Sequence, residues 1–346
     1  MEAVPLHELA GSEGVFSSSL KSKKRILSGM RPTGKLHLGH LVGALENWVA
    51  LQNEFNNFHL IADYHALTTN VDTKELYGHS IDMVIDWLAA GIDPAKSPIF
   101  RQSQIKQHSE LHLLFSMLIT TARLERNPTL KDQVRDLNIE TMSYGHLGYP
   151  VLQSSDILLY KGDVVPVGED QVPHIEITRE IARRFNNQYG RVFPEPEPRL
   201  TKFARLPGLD GNQKMSKSTG NTILLSDTPD EIKKKLKTAV TDPAKLRKGD
   251  PGHPDICLVF TYHQKFNAAE VPEIRANCES GALGCVDCKN NCAAKIAAAL
   301  APIRDRRAHY ESHLDEVKNI LSDGESRGRT IAAETMSEVH SVMALG

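Results

Sequence analysis

The chain has 346 residues, a mass of 38.4 kDa and a formal net charge of −2. Hydrophobic residues make up 40% and charged residues 24%, which fits a globular chain of roughly two domains and excludes a disordered one. No apolar run approaches the roughly 20 residues that span a bilayer. A near-neutral total can still hide a basic face, as in the clusters Lys21, Lys23, Lys24, Arg25, then Lys233, Lys234, Lys235, Lys237, then Arg304, Arg306, Arg307. Each is read equally well as solvated surface.

Residues 1–24 are Ser-rich and without periodicity, which predicts a loose extension. It lacks the apolar block of a secretory signal, and Glu2, Glu8 and Glu13 oppose a transit peptide, so a cytoplasmic location is expected. Ile26-Leu27-Ser28-Gly29 predicts a short buried strand entering a glycine turn. Leu41, Ala44, Leu45, Trp48 and Leu51 recur at helical spacing and predict a helix over 38–51. Strands are expected at 58–63, 99–101 and 164–168, with a long helix over 76–90. Alternating strands and helices predict an α/β fold, a doubly wound parallel sheet of Rossmann type. Pro194, Pro196 and Pro198 mark a loop. Beyond about Asp227 helical segments dominate, including 293–300 and 332–345. The expected division is an extension (1–24), a catalytic domain (25–223) and a mostly helical C-terminal domain (224–346).

Two distant segments carry the chemistry. The first is Gly29-Met30-Arg31-Pro32-Thr33-Gly34-Lys35-Leu36-His37-Leu38-Gly39-His40. Ligands of open parallel sheets lie beyond the carboxyl ends of the strands, so a nucleotide is expected in this loop. Gly34 and Gly39 permit close backbone approach. His37 and His40 share a face over the positive end of a helix, which suits phosphate. In isolation the pair also fits surface polarity or a metal pair. The second segment is Lys214-Met215-Ser216-Lys217-Ser218. Two ammoniums there can stabilise charge on a leaving pyrophosphate. Gly208, Gly211 and Gly220 flank it and would let it close over ATP.

Together these segments resemble the class I aminoacyl-tRNA synthetases. Tyr149-Pro150-Val151-Leu152-Gln153-Ser154-Ser155-Asp156-Ile157-Leu158, Val165 to His174 and Pro207-Gly208-Leu209-Asp210-Gly211 narrow the resemblance to the tryptophanyl enzymes, over roughly residues 26–346. The resemblance implies activation of L-tryptophan by ATP with Mg²⁺, followed by transfer to tRNA(Trp), in a homodimer. It implies that Arg31, Pro32, Thr33, Gly39 and His40 line the ATP site. Gly168, Glu169, Asp170 and Leu206 would hold ribose and adenine. Lys214, Met215, Ser216, Lys217 and Ser218 would close on the triphosphate, with Lys131 a helper. His37, His40, Lys214 and Lys217 are the expected catalytic groups.

Asp156 lies in an apolar stretch, so its carboxylate must be paired or hydrogen-bonded. It is either a cap or ion-pair partner, or the acceptor for the indole N–H, the part this position plays in the family. Tyr149 and Gln171 would shape the same pocket. His65 is read as a core histidine or an active-site one. His37 and His40 stand where many tryptophanyl enzymes carry Thr and Asn, and tyrosyl enzymes often carry histidines. The rival readings are therefore a tyrosine–tRNA ligase, a small adenylyltransferase and a non-catalytic RNA-binding paralogue. All five cysteines fall between 257 and 292. Cys257, Cys278, Cys285 and Cys288 supply four thiols, open to a [4Fe–4S] cluster, to zinc or to no metal, while Cys292 is left unliganded.

Overall fold

The computed structural model describes residues 23–136, 139–200, 206–211 and 215–346, with Asp136 and Ser218 described through their backbone alone. The extension up to residue 22 and Lys214 lie outside the described residues. A five-stranded, wholly parallel sheet forms the centre, in the order β3-β2-β1-β4-β5. The strands are β1 (Arg25–Met30), β2 (Asn56–Ile61), β3 (Ile99–Arg101), β4 (Val164–Val167) and β5 (Glu197–Leu200). The order reverses between β1 and β4, which opens a crevice beyond their carboxyl ends. Gly29 lets β1 lie close to β2, since a Cβ there would stand 2.9 Å from the Leu60 carbonyl oxygen.

The expected helix over 38–51 forms, with a π-helical stretch at Leu41–Leu45. Such stretches often accompany functional sites. The second strand ends at Ile61, earlier than expected, because Asp63 opens a helix (Asp63–Leu67) and its Oδ1 accepts from the Tyr64 and Ser103 N–H groups. The proline-rich loop contains β5, which the sequence pattern hides. Pro198 is tolerated there because β5 is an edge strand.

Strand residues alternate between two cores. Ile61 and Ile99 face one core with Trp48 and Trp87, while Phe58, Leu60 and Phe100 face the other with Tyr160 and Phe185. Helices α1 (Leu76–Ala90), α2 (Tyr144–Leu159), α3 (Val172–Tyr189), α4 (Cys285–Ser312) and α5 (Leu314–Met343) complete the layers used below. The C-terminal helices bury Ile296, Leu300, Val317 and Leu321 in the first core and Met336 and Val339 in the second. Gly324 lets α5 lie directly on β3, since a Cβ there would overlap the Ile99 carbonyl. Among the described residues no helix is long and apolar enough to cross a membrane.

Candidate active site

A cavity of about 1240 Å³ occupies the crevice at the strand-order reversal. Ser28, Gly29, Met30 and Arg31 line it from the end of β1, and Val167 to Gln171 from the end of β4. Of the sequence-predicted ATP residues, Arg31, Gly39, His40, Gly168, Glu169, Asp170, Leu206 and Met215 line it, as do His37, Tyr149, Asp156 and Gln171. Pro32 is buried, Thr33 is exposed, and neither lines the wall. Lys131 is exposed, away from the wall.

The helix that follows β1 begins with a reciprocal cap. His37 Nδ1 accepts from the Gly39 N–H at 3.1 Å, and His40 Nδ1 accepts from the His37 N–H at 3.3 Å. Using both Nδ1 atoms as acceptors fixes the protons on Nε2, so each ring is a potential donor toward an anion. The rings lie 3.8 Å apart between centroids. Glycine at position 39 suits the close approach of the His37 ring, since a Cβ there would stand 3.0 Å from it.

Residues 223–225 return from the lysine loop alongside this turn. The Leu38 N–H donates to the Ile223 carbonyl and the Leu225 N–H to the Leu36 carbonyl, both at 2.9 Å. Lys217 then reaches the turn rather than the cavity wall. Its ammonium donates to the Thr33 carbonyl and, at 3.0 Å, to that of Lys35. Gly34 takes φ +84, a left-handed conformation that favours glycine. Burial lowers the pKa of Lys217. Ser216 is tied through its N–H to Asn221 Oδ1 at 2.7 Å.

The opposite end of the cavity is built from buried side chains. Asp156, on α2, is 2% exposed. Its Oδ2 accepts from His65 Nε2 at 2.9 Å, and its Oδ1 accepts from Gln102 Nε2 and His108 Nδ1, each at 2.7 Å. His108 Nε2 shares a hydrogen bond with the Tyr160 hydroxyl at 3.0 Å. Burial pushes the Asp156 carboxyl up, but the bonds from His108 and His65 outweigh it and hold the pKa below its ordinary value. A carboxylate has about four lone-pair positions, so three donors leave room for one more.

Tyr149 lies beside this group, with Gln133 Nε2 donating to its hydroxyl at 2.9 Å and His174 Nε2 bonded to it as well. Asn127 stands behind His174, at 3.0 Å from its Nδ1. Burial pushes His174 down to about 4, so it is neutral at pH 7. The sequence reading left His65 open and missed Gln102, His108, Gln133 and His174. The signal for His108 is a histidine on the buried face shared with Leu111 and Phe115.

The four cysteines Cys257, Cys278, Cys285 and Cys288 are all partly buried and unbridged, and the other three lie near enough to Cys288 to raise the cost of charging it. Burial first, and then the three neighbouring thiols, push Cys288 up to about 12. Among the described residues, no group of three or more His, Cys, Asp or Glu side chains is arranged to hold a metal ion.

Residues 19–301 match the family described as tRNA synthetases class I (W and Y). The tryptophan–tRNA ligase of Thermotoga maritima is 50% identical over 326 residues, covering 93% of this chain and 99% of that one. The tryptophan–tRNA ligase of Aquifex aeolicus is 43% identical, covering 93% and 100%. The crystal structure of tryptophanyl-tRNA synthetase from Campylobacter jejuni, complexed with ADP and tryptophan, superposes with a TM-score of 0.84 at 34% identity, covering 92% of this chain and 99% of that one. With the sheet order, the cavity at its reversal and these matches taken together, the chain belongs to the tryptophanyl branch of the class I aminoacyl-tRNA synthetases.

Proposed function

We propose that this chain, a tryptophan–tRNA ligase, divides its cavity into an amino-acid end at Asp156 and a phosphate end at the His37–His40 cap. The observation that carries this reading is the Asp156 carboxylate. It is buried, lines the cavity, and retains one acceptor position beside His65. The indole N–H is a donor with no acceptor capacity, so it suits that position. A site built this way rejects side chains lacking the donor, because the carboxylate would stay underpaired. Tyr149 and Gln171 then bound the amino-acid group, and Gly168, Glu169, Asp170 and Leu206 bound the nucleoside.

In the reaction, an oxygen of the tryptophan carboxylate attacks the α-phosphorus of ATP. The bond to the bridging oxygen breaks and pyrophosphate leaves. The tryptophanyl group then moves from the adenylate to the tRNA 3′ end. Positioning and charge stabilisation dominate such chemistry, with Mg²⁺ carried on the phosphates. Lys217 stabilises the departing pyrophosphate after exchanging the Thr33 and Lys35 carbonyls for phosphate oxygens, and Lys214 acts beside it. Pro32, Thr33, Ser216 and Ser218 shape the closing loops.

The helical residues 224–346 take the role of tRNA-anticodon binding. The thiols of Cys257, Cys278, Cys285 and Cys288 would supply the four ligands of a [4Fe–4S] cluster in that half, with zinc the alternative. Gly252 packs directly against Cys278, since a Cβ there would stand 2.6 Å from its sulfur. Bound there, such a group would be structural, tying the first turn of α4, which carries Cys285 and Cys288, to Cys257 and Cys278. Two copies in a homodimer, in the cytoplasm, complete the reading. Leu113, Met117 and Tyr144 are exposed apolar side chains available to the second copy. Pyrophosphate exchange measured with each of the twenty amino acids tests the assignment. Tryptophan alone should drive it, and exchange driven by tyrosine instead would overturn it.

A further inference from the structure

The basic cluster near the C-terminus contains one residue that is not surface. Arg307, on α4, is 2% exposed, whereas a solvated face would leave it in water. Its guanidinium forks onto two carboxylates one turn apart on α1. Nη1 donates to Asp86 Oδ1, and Nη2 to Asp82 Oδ1 at 2.9 Å. Glu311 pairs with it from its own helix at 3.1 Å. Asp86 is fully buried, and its second oxygen is committed elsewhere. Oδ2 accepts from the Leu36 N–H at 2.7 Å.

Leu36 is the residue between the turn that receives Lys217 and the cap made by His37. Its own carbonyl accepts from Leu225, and Leu38 is held by Ile223. The segment 36–38 is therefore gripped on one side by the segment returning from the lysine loop and on the other by a single carboxylate. Arg307 holds that carboxylate in place. Burial lowers the pKa of Lys217, and the negative charges of Asp86 and Asp82 oppose that effect, so the pair also reaches the lysine electrostatically.

We infer that Arg307 is a positioning residue for adenylate formation: through Asp86 it fixes the Leu36 backbone, and so the turn on which the ATP phosphates and Lys217 meet. This rests on the reading of that turn as the phosphate end of the cavity. A helix of the C-terminal half thereby acts on the phosphate end through two hydrogen bonds, Arg307 to Asp86 and Leu36 to Asp86.

A pure ion-pair role would glue α4 to α1 and change stability alone. Replacing a buried pair by apolar groups is often neutral to stability, which separates the two roles. The double variant Arg307→Met with Asp86→Leu removes both charges and leaves the Leu36 N–H without its acceptor. In tryptophan-dependent pyrophosphate exchange, its KM for ATP should rise about tenfold, with the KM for tryptophan within about twofold of wild type. Asp86→Asn keeps an acceptor oxygen for Leu36 and should stay within about threefold of wild type in KM for ATP. If the double variant does not fold, Arg307→Lys serves, since an ammonium cannot fork onto both carboxylates. Its KM for ATP should rise about threefold. A folded double variant, or a folded Arg307→Lys, with an unchanged KM for ATP or with both KM values raised together overturns the inference. A wild-type chain without tryptophan-dependent exchange would instead overturn the reading of the cavity.

Discussion

On the division of the cavity proposed above, its amino-acid and phosphate ends are built from different materials. The amino-acid end is made of buried side chains that hold one another: His65, Gln102 and His108 on Asp156, and Gln133 and His174 on Tyr149. The phosphate end is made of backbone, with a histidine cap, a glycine turn and one lysine folded onto carbonyls. The difference follows from the two tasks. Choosing indole over other rings needs an acceptor whose position and charge are set before the substrate arrives. Stabilising a leaving pyrophosphate needs charge brought to oxygens as they move, which a loop can deliver.

The largest expected effect lies at the phosphate end. Lys217→Ala should lower the rate of tryptophan-dependent pyrophosphate exchange by about 10²–10³, the cost of one key charge-stabilising donor. The KM for tryptophan should hardly change, and a near-normal rate would remove Lys217 from the mechanism. At the other end, Gln102→Leu takes one donor from the Asp156 carboxylate, a charge-assisted bond whose loss corresponds to roughly tenfold or more. Steady-state kinetics should show it in kcat/KM for tryptophan and not in the KM for ATP. An equal loss against both substrates would blur the division between the ends.

Those ends were not equally legible in the sequence. The phosphate end was, because its parts are contiguous: Gly34, His37, Gly39 and His40 fall in one turn, and Met215, Ser216 and Lys217 in another. Alternation of apolar runs made β1, β3, β4 and the long helix over 76–90 readable for the same reason. The amino-acid end is assembled from residues 65, 102, 108 and 156, which only the folded sheet brings together. Of these, Asp156 was visible because it interrupts an apolar run, while Gln102 and His108 had no partner in view. Arg307 misled in the opposite sense: three arginines in four positions look like solvated surface, and only packing shows that one points inward to Asp86. The edge strand β5 was hidden by Pro198, whose missing N–H costs nothing at an edge.

Buried histidines should also make the preassembled scaffold acid-sensitive. Burial lowers His174 to about 4 and His59, stacked on Trp48, to about 3. Their unfolded values lie near 6.5, so between about pH 4 and 6.5 the unfolded chain binds more protons and stability rises with pH. It is fully present above about pH 6.5 and is lost as pH falls toward 4, by up to about 1.4 kcal/mol per pH unit for each group. His59→Leu should raise the denaturant midpoint more at pH 5 than at pH 8. An identical shift at both would deny that His59 is neutral in the fold. The smallest effect is expected farthest from both ends. Cys285→Ser should leave pyrophosphate exchange within about twofold while reducing bound iron and acid-labile sulfide, each near four per chain in a full cluster. Stoichiometric zinc without sulfide would instead establish a zinc site, and loss of exchange in folded protein would contradict its separation from the chemistry.

The central claim is that Asp156 selects the substrate through the indole N–H. Its most direct test is the ratio of kcat/KM for tryptophan to that for the benzothiophene isostere, in which sulfur replaces the N–H. The wild-type ratio should be on the order of 10⁴, as for sites built around a buried polar partner. Folded Asp156→Ala should bring it down to within about tenfold of unity. A ratio that survives the substitution would show that the carboxylate only holds His65, Gln102 and His108 in place.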